Sequence, residues 1–92
     1  METDTARVLG RFLTAGQVQR MPSKAAKRLV VLEHLAGRFE PGERYAEKQV
    51  DATLIAALVP REDGGEVDHV SVRRYLVDHG LMSRADGVYW RR

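Results

Sequence analysis

The chain contains no cysteine, which excludes disulfides, thiolate nucleophiles and cysteine-ligated zinc. It also lacks long apolar runs, since none approaches the roughly 20 residues that a membrane-spanning helix needs. The N-terminus carries acidic residues where a signal peptide would carry a basic region and an apolar stretch. With 92 residues, the chain can form one small domain with a modest core. We therefore expect a cytoplasmic protein that does not contact a membrane.

Catalytic and cofactor-binding patterns are also missing from the sequence. His34, His69 and His79 lack the short paired spacing of metal ligands. The serines lack a nucleophile elbow or a nearby base, and no phosphate-binding pattern surrounds Gly64 and Gly65. We therefore expect no metal, no cofactor and no enzymatic activity.

Charge is distributed unevenly, although the net charge is only +2. Residues 20–32 contain four basic residues and no acidic one. Residues 33–68 contain nine acidic residues against four basic ones, and residues 69–92 contain five arginines against two aspartates. This distribution is compatible with a basic patch that faces nucleic acid and an acidic opposite face. It is equally compatible with ordinary solvated helix faces.

The last third of the chain has the pattern of a helix. Counting about 100° per residue from Val72 places Tyr75, Leu76 and His79 on one side, which we expect to be buried. Asp68 can accept a hydrogen bond from the first turn, and Gly80 can end the helix in the left-handed conformation. The pattern predicts a helix over residues 68–79.

A tight β-hairpin is predicted directly after this helix, over residues 81–91. Two β-prone runs flank Asp86 and Gly87, a dipeptide that tolerates positive φ in hairpin turns. Tyr89 and Trp90 point to opposite sides of the second strand, so one should be buried and the other exposed. The sequence does not decide which.

Three further helices are predicted upstream. The first, over residues 4–13, presents Val8, Leu9, Phe12 and Leu13, and Gly16 ends it before a short strand over 17–21. The second begins after Ser23 as its cap and has an apolar stripe of Ala25, Leu29, Leu32, Leu35, Ala36 and Phe39. An extended Arg44-Tyr45 precedes the third, over 47–58, with Val50, Leu54, Ala57 and Leu58 inward. A loop over 59–67 follows and should be the most mobile segment.

This element order predicts a mainly α domain with a small β-hairpin. Residues 23–92 have the order of a winged helix-turn-helix-like domain, with helix 68–79 in the place of the recognition helix and the hairpin in the place of the wing. Residues 1–22 form an N-terminal helix-strand extension of the same single domain.

Several stretches carry a family resemblance: residues 45–50 (YAEKQV), 73–84 (RRYLVDHGLMSR) and 86–91 (DGVYWR), with MPSK, KRL and FEPG upstream. They resemble the bacterial family known as domain of unknown function 2087, over roughly residues 12–92. The resemblance implies a winged-helix-like fold associated with transcriptional regulators. The sequence departs from the family's pattern in several places: Ala46 stands where a capping threonine is common, Asp51 where asparagine is usual, and Val72 where leucine precedes the paired arginines. The loop over residues 60–67 is also longer than usual.

We therefore expect a DNA-binding module in bacterial transcriptional regulation, with double-stranded DNA as its partner. The expected DNA-binding residues are Arg73, Arg74, Arg84, Arg91, Lys24, Lys27 and Arg28. An exposed helix arginine can reach phosphates or guanine edges. The alternative is that one of the paired arginines binds Asp78 and the other an acid of the third helix, and that the hairpin arginines lie on an inert surface.

A protein-interaction or ligand-sensing module on the same fold is the alternative function. It would dock through an exposed apolar patch formed by Phe12, Leu13 or Trp90. A homodimer through the N-terminal helix is a related expectation, because so small a core need not use all of its apolar side chains.

Overall fold

Four α-helices and five short strands make up the part of the chain that the structure, a computed structural model, describes: the backbone of residues 2–92 and the side chains of residues 4–92. The helices are α1 (Glu2–Phe12), α2 (Ala25–Ala36), α3 (Glu47–Ala57) and α4 (His69–Asp78). The strands are β1 (Leu13–Thr14), β2 (Gln17–Val18), β3 (Tyr45–Ala46), β4 (Met82–Ala85) and β5 (Val88–Arg91). The predicted C-terminal helix and hairpin are confirmed.

The C-terminal hairpin belongs to a three-stranded antiparallel sheet of order β3-β5-β4. Tyr45 of β3 pairs with Tyr89 of β5, so the strand before α3 closes the sheet. Asp86 and Gly87 both have positive φ, 53° and 76°, as the hairpin turn requires. Because β1 and β2 form a second small sheet, the domain is α+β rather than mainly α as predicted.

One core joins all four helices to the sheets. The inward faces predicted for α3 and for Val72 and Leu76 of α4 are confirmed. The predicted inward face of α2 is wrong at two residues, since Ala25 and Leu29 are exposed and Val31 is buried instead. Residues 29–32 are all apolar, so periodicity alone does not choose the inward face. His79 is also exposed, because it lies beyond the last turn of α4.

The N-terminal extension packs against the same core through Phe12 and Val18. A tight turn at Ala15 and Gly16 reverses the chain, and the strand predicted over 17–21 is shorter, covering residues 17–18. The Val59 N–H donates to the Val18 carbonyl at 2.9 Å, and the Glu66 N–H donates to the Gln19 carbonyl at 2.8 Å. The predicted loop over 59–67 is therefore bonded near both of its ends, and it contains a short 3₁₀ helix (Arg61–Asp63).

The start of one helix, α2, departs from the prediction. Ser23 does not cap α2, which begins after Lys24 without any side-chain cap. Gln49 offsets the missing cap of α3, since its Oε1 accepts from the Ala46 N–H at 2.8 Å. The predicted cap of α4 is confirmed: Asp68 accepts from the Ser71 N–H at 2.8 Å and from the Ser71 hydroxyl at 2.9 Å.

Replacing the Asp68 carboxylate should weaken the start of α4. We expect Asp68→Ala to lower the free energy of unfolding by about 1 kcal/mol, whereas Asp68→Asn keeps an acceptor and should lose less. The Ser71 backbone and hydroxyl bonds hold the pKa of Asp68 below its ordinary value of 3.8. The charge-dependent part of the stabilisation is therefore present at neutral pH and lost as the pH falls below that value. Urea unfolding of the three proteins at neutral and acidic pH checks both points, and equal losses for Ala and Asn would contradict the cap.

Candidate nucleic-acid interface

A groove of about 270 Å³ lies between α4 and the β4–β5 hairpin. Its lining residues are Val70, Arg73, Arg74, Val77 and Asp78 of α4 and Arg84 and Tyr89 of the hairpin. We call it the α4–hairpin groove. Of the C-terminal arginines that are expected to bind DNA, Arg73, Arg74 and Arg84 line the groove, and Arg91 does not.

Arg73 is held by carboxylates of α3. Its Nη1 donates to Asp51, its Nη2 lies 3.9 Å from Glu47 Oε1, and its side chain is only 18% exposed. Burial disfavours the charged form, but the Asp51 hydrogen bond and the charges of Asp51 and Glu47 together raise the pKa of Arg73 above its ordinary value. Tyr89 completes the network by donating its hydroxyl to Glu47 at 2.9 Å. Arg73 therefore joins α4 to α3, which is the pairing that the sequence left open as an alternative to DNA contact.

Arg74 and Arg84 are the exposed arginines of the groove. Among the described side chains, neither has a carboxylate oxygen within 4.0 Å, since both ion pairs found there belong to Arg73. Arg74 lies about 180° around α4 from the mean direction of Val72 and Leu76, so it projects directly away from the core. Val70, one turn earlier, is 44% exposed beside it. This face of α4 is the part of the groove that a large ligand can reach.

The end of the hairpin has a structural role. Arg91 donates from Nη1 to the Phe39 carbonyl at 3.2 Å, which fastens β5 to the segment after α2. The structure settles the Tyr89 and Trp90 alternative, because Tyr89 is 1% exposed and Trp90 is half-buried on the other side of the strand. The Arg44 guanidinium covers the Trp90 ring at 4.2 Å from its centroid. Arg91 and Trp90 are therefore engaged within the domain.

The other predicted basic residues, Lys24, Lys27 and Arg28, lie at the start of α2. The Arg28 guanidinium stacks over Tyr75 of α4, 5.2 Å from the ring centroid, and donates to the Ser23 carbonyl at 3.1 Å. Lys27 instead lines a depression with Arg7 and Arg11 of α1. None of these three residues lines the α4–hairpin groove, and Arg28 contacts α4 on the side of Tyr75.

Arg7 and Arg11 were not predicted from the sequence as site residues. Their spacing of four residues, which puts both on one helix face, was the available signal. Arg20 was also absent from the predicted site residues, and it lies over the Phe12 ring at 4.7 Å from its centroid.

The residues proposed for the interaction alternative do not form an exposed apolar patch. Phe12 is 7% exposed and lies in the core, and Leu13 packs partly buried against it. In the described part of the chain, the large apolar side chains that are exposed are Leu29, Ile55 and Val70. The homodimer through α1 remains a prediction, although Val8 and Leu9 also pack against the domain's own core.

Metal-ligating side chains are scattered over the described residues. No group of three histidine, aspartate or glutamate side chains comes close enough there to hold a metal ion. Within the same part of the chain, every helix is too short or too polar to cross a bilayer.

Comparison with known proteins gives one family match. The family model described as "Uncharacterized protein conserved in bacteria (DUF2087)" matches residues 17–91. Neither the comparison with curated proteins nor the comparison with solved structures found a match. The match covers all of the elements from β2 to β5, including both walls of the α4–hairpin groove.

Proposed function

We propose a function from the geometry of the chain. The chain belongs to the DUF2087 family, and the description of that family, uncharacterized and conserved in bacteria, names no function. The proposed function is DNA binding in bacterial transcriptional regulation, on a winged helix-turn-helix fold. α4 is the recognition helix, and the β4–β5 hairpin is the wing. The observation that supports it most is the α4–hairpin groove, where Arg74 and Arg84 are both exposed.

The topology supports the winged-helix assignment. The order α2, β3, α3, α4, β4, β5, with β3 paired to β5, fits a helix-turn-helix formed by α3 and α4, in which β3, the strand before α3, completes the sheet of the wing. The connection between α3 and α4, residues 58–68, exceeds the usual 3–4-residue turn. It carries Glu62, Asp63 and Glu66, which repel phosphates near the start of α4. We therefore place the centre of the contact at Arg74, in the middle of the helix.

The arginines of the groove have different roles in this proposal. Arg74 and Arg84 contact phosphates on either side of the groove, and Val70 lies where an apolar side chain can contact a thymine methyl group. Arg73 is a positioning residue that fixes α4 on α3 through Asp51. Because phosphate contacts dominate, the affinity should fall as the salt concentration rises.

The test is binding to a fluorescein-labelled duplex of mixed sequence, followed by anisotropy at about 50 mM salt, where nonspecific attraction is easiest to see. We expect Arg74→Glu with Arg84→Glu to weaken binding by about 100-fold or more, because each reversal removes an attraction and adds a repulsion. The salt dependence of the residual binding should also be shallower, by about 0.9 in logarithmic slope for each lost phosphate contact.

A matched control changes the net charge by the same amount at two residues outside the groove. Arg38 and Arg44 do not line the groove. Arg38 donates to the Gly16 carbonyl, and Arg44 covers Trp90. Arg38→Glu with Arg44→Glu should therefore reduce binding much less. A parent protein that does not bind at about 50 mM salt, or a control pair that weakens binding as much as the groove pair, would reject this function.

A further inference from the structure

Six basic side chains from three segments lie around the N-terminal end of α2. They are Arg7 and Arg11 of α1, Arg20 before α2, and Lys24, Lys27 and Arg28 at the start of α2. We call this the α1–α2 basic surface. Arg7, Arg11 and Lys27 line one depression of about 340 Å³, and Arg20 shares the next depression with Ser71 and Tyr75 of α4.

The positive charge of this surface is only partly neutralised by carboxylates. None of its six side chains has a carboxylate oxygen within 4.0 Å among the described residues. Asp4 lines the first depression, and Glu66 and Asp68 line the second together with Arg20. Two of the guanidinium groups are held in place, because Arg20 lies over Phe12 and Arg28 over Tyr75. The surface thus carries a concentrated and partly preorganised positive charge.

The basic surface borders the proposed DNA-facing side of α4. Arg73 and Tyr75, the neighbours of Arg74 in sequence, project about 100° to either side of it. Arg73 points towards α3, whereas Tyr75 is covered by Arg28 of the basic surface. A rod-like polyanion placed on Arg74 therefore has the hairpin on one side and the α1–α2 basic surface on the other.

We infer that the α1–α2 basic surface binds the phosphate backbone of the nucleic acid that occupies the α4–hairpin groove, which extends the footprint beyond α4. This inference rests on the proposed function. Four of the six side chains are arginines, whose planar guanidinium groups pair with phosphate oxygens in bidentate geometry. In the described part of α1, no large apolar side chain is exposed. The surface therefore lacks the apolar anchors by which an amphipathic helix enters a membrane.

The test is the salt dependence of duplex binding after neutralisation of two arginines on α1. Arg7→Gln with Arg11→Gln should reduce the logarithmic salt slope by about 1 to 2, since each phosphate contact contributes about 0.9. Both side chains are exposed and glutamine forms helices well, so the variant should fold. Lys24→Gln with Lys27→Gln is a second variant with the same expectation, and Arg38→Gln with Arg44→Gln is the control that should leave the slope unchanged.

The outcomes separate this inference from the proposed function. Unchanged slopes in both neutralised pairs, together with loss of binding in the Arg74 and Arg84 double reversal, overturn the inference and leave the function intact. Absence of duplex binding by the parent protein at about 50 mM salt overturns both. Binding to poly-glutamate or to phosphatidylserine vesicles that depends on Arg7 and Arg11, with duplex binding unchanged, also overturns it and assigns the surface to an acidic protein or a membrane.

Discussion

Leu76→Ala is expected to lower the free energy of unfolding by about 2–5 kcal/mol, a large part of the stability of a small domain. Leu76 is fully buried in the core, where α4 packs against α2 and α3. Truncation removes apolar contacts and leaves a cavity that a close-packed interior fills only partly. Urea unfolding followed by circular dichroism gives the difference.

Val70→Ala is the matched control on the same helix, because Val70 is 44% exposed. It should change the stability by less than about 1 kcal/mol, since surface substitutions rarely exceed about 0.5 kcal/mol. Similar losses for both variants would show that α4 is rotated from the orientation described above.

Arg73→Glu should mainly lower the stability and Arg74→Glu should mainly weaken DNA binding, although the two residues are adjacent. A carboxylate at position 73 would face Asp51 and Glu47 in a partly buried site. Breaking a fully buried pair costs about 3–5 kcal/mol, so for a pair that is partly exposed we expect a loss of about 2–3 kcal/mol. Arg74→Glu is exposed and should leave the stability nearly unchanged while it weakens DNA binding.

A double-mutant cycle isolates the pair itself. Asp51→Ala and Arg73→Ala should show a coupling free energy of at least about 0.5 kcal/mol, because the two side chains are in contact. If Arg73→Glu is as stable as Arg74→Glu and the cycle shows no coupling, Arg73 does not hold α4 to α3. It would then be free to act as a DNA contact, as the sequence first suggested.

The elements with strong local signals could be predicted from sequence. α3 has a regular apolar face, α4 has the Asp68 cap and Gly80 at its end, and the hairpin has Asp86 and Gly87 at its turn. The inward face of α2 could not be chosen, because four consecutive apolar residues offer several faces and tertiary packing selects one. The strands β1, β2 and β3 have two residues each, too few to show alternation, and β3 pairs with a strand more than 40 residues away.

The candidate site was predictable as a set of residue types but not as a set of roles. The sequence indicated that arginines cluster near the C-terminus, and three of them do line one groove. It could not show that Arg73 binds Asp51 while Arg74 is exposed, because that depends on how α3 and α4 cross. The bond from Arg91 to the Phe39 carbonyl joins residues 52 positions apart. The contribution of Arg7 and Arg11 also depends on tertiary packing, since α1 lies beside α2 only in the folded domain.

Chemical-shift mapping tests the central claim most directly, because it locates the nucleic-acid contact without altering the protein. Titration of the ¹⁵N-labelled chain with a short duplex of mixed sequence at low salt should shift the amides of Val70, Arg74 and Arg84. The backbone at Arg38, which lies outside the α4–hairpin groove, should shift little. Spectra without change, or with changes that leave α4 and the hairpin unaffected, would contradict a DNA-binding role for the α4–hairpin groove.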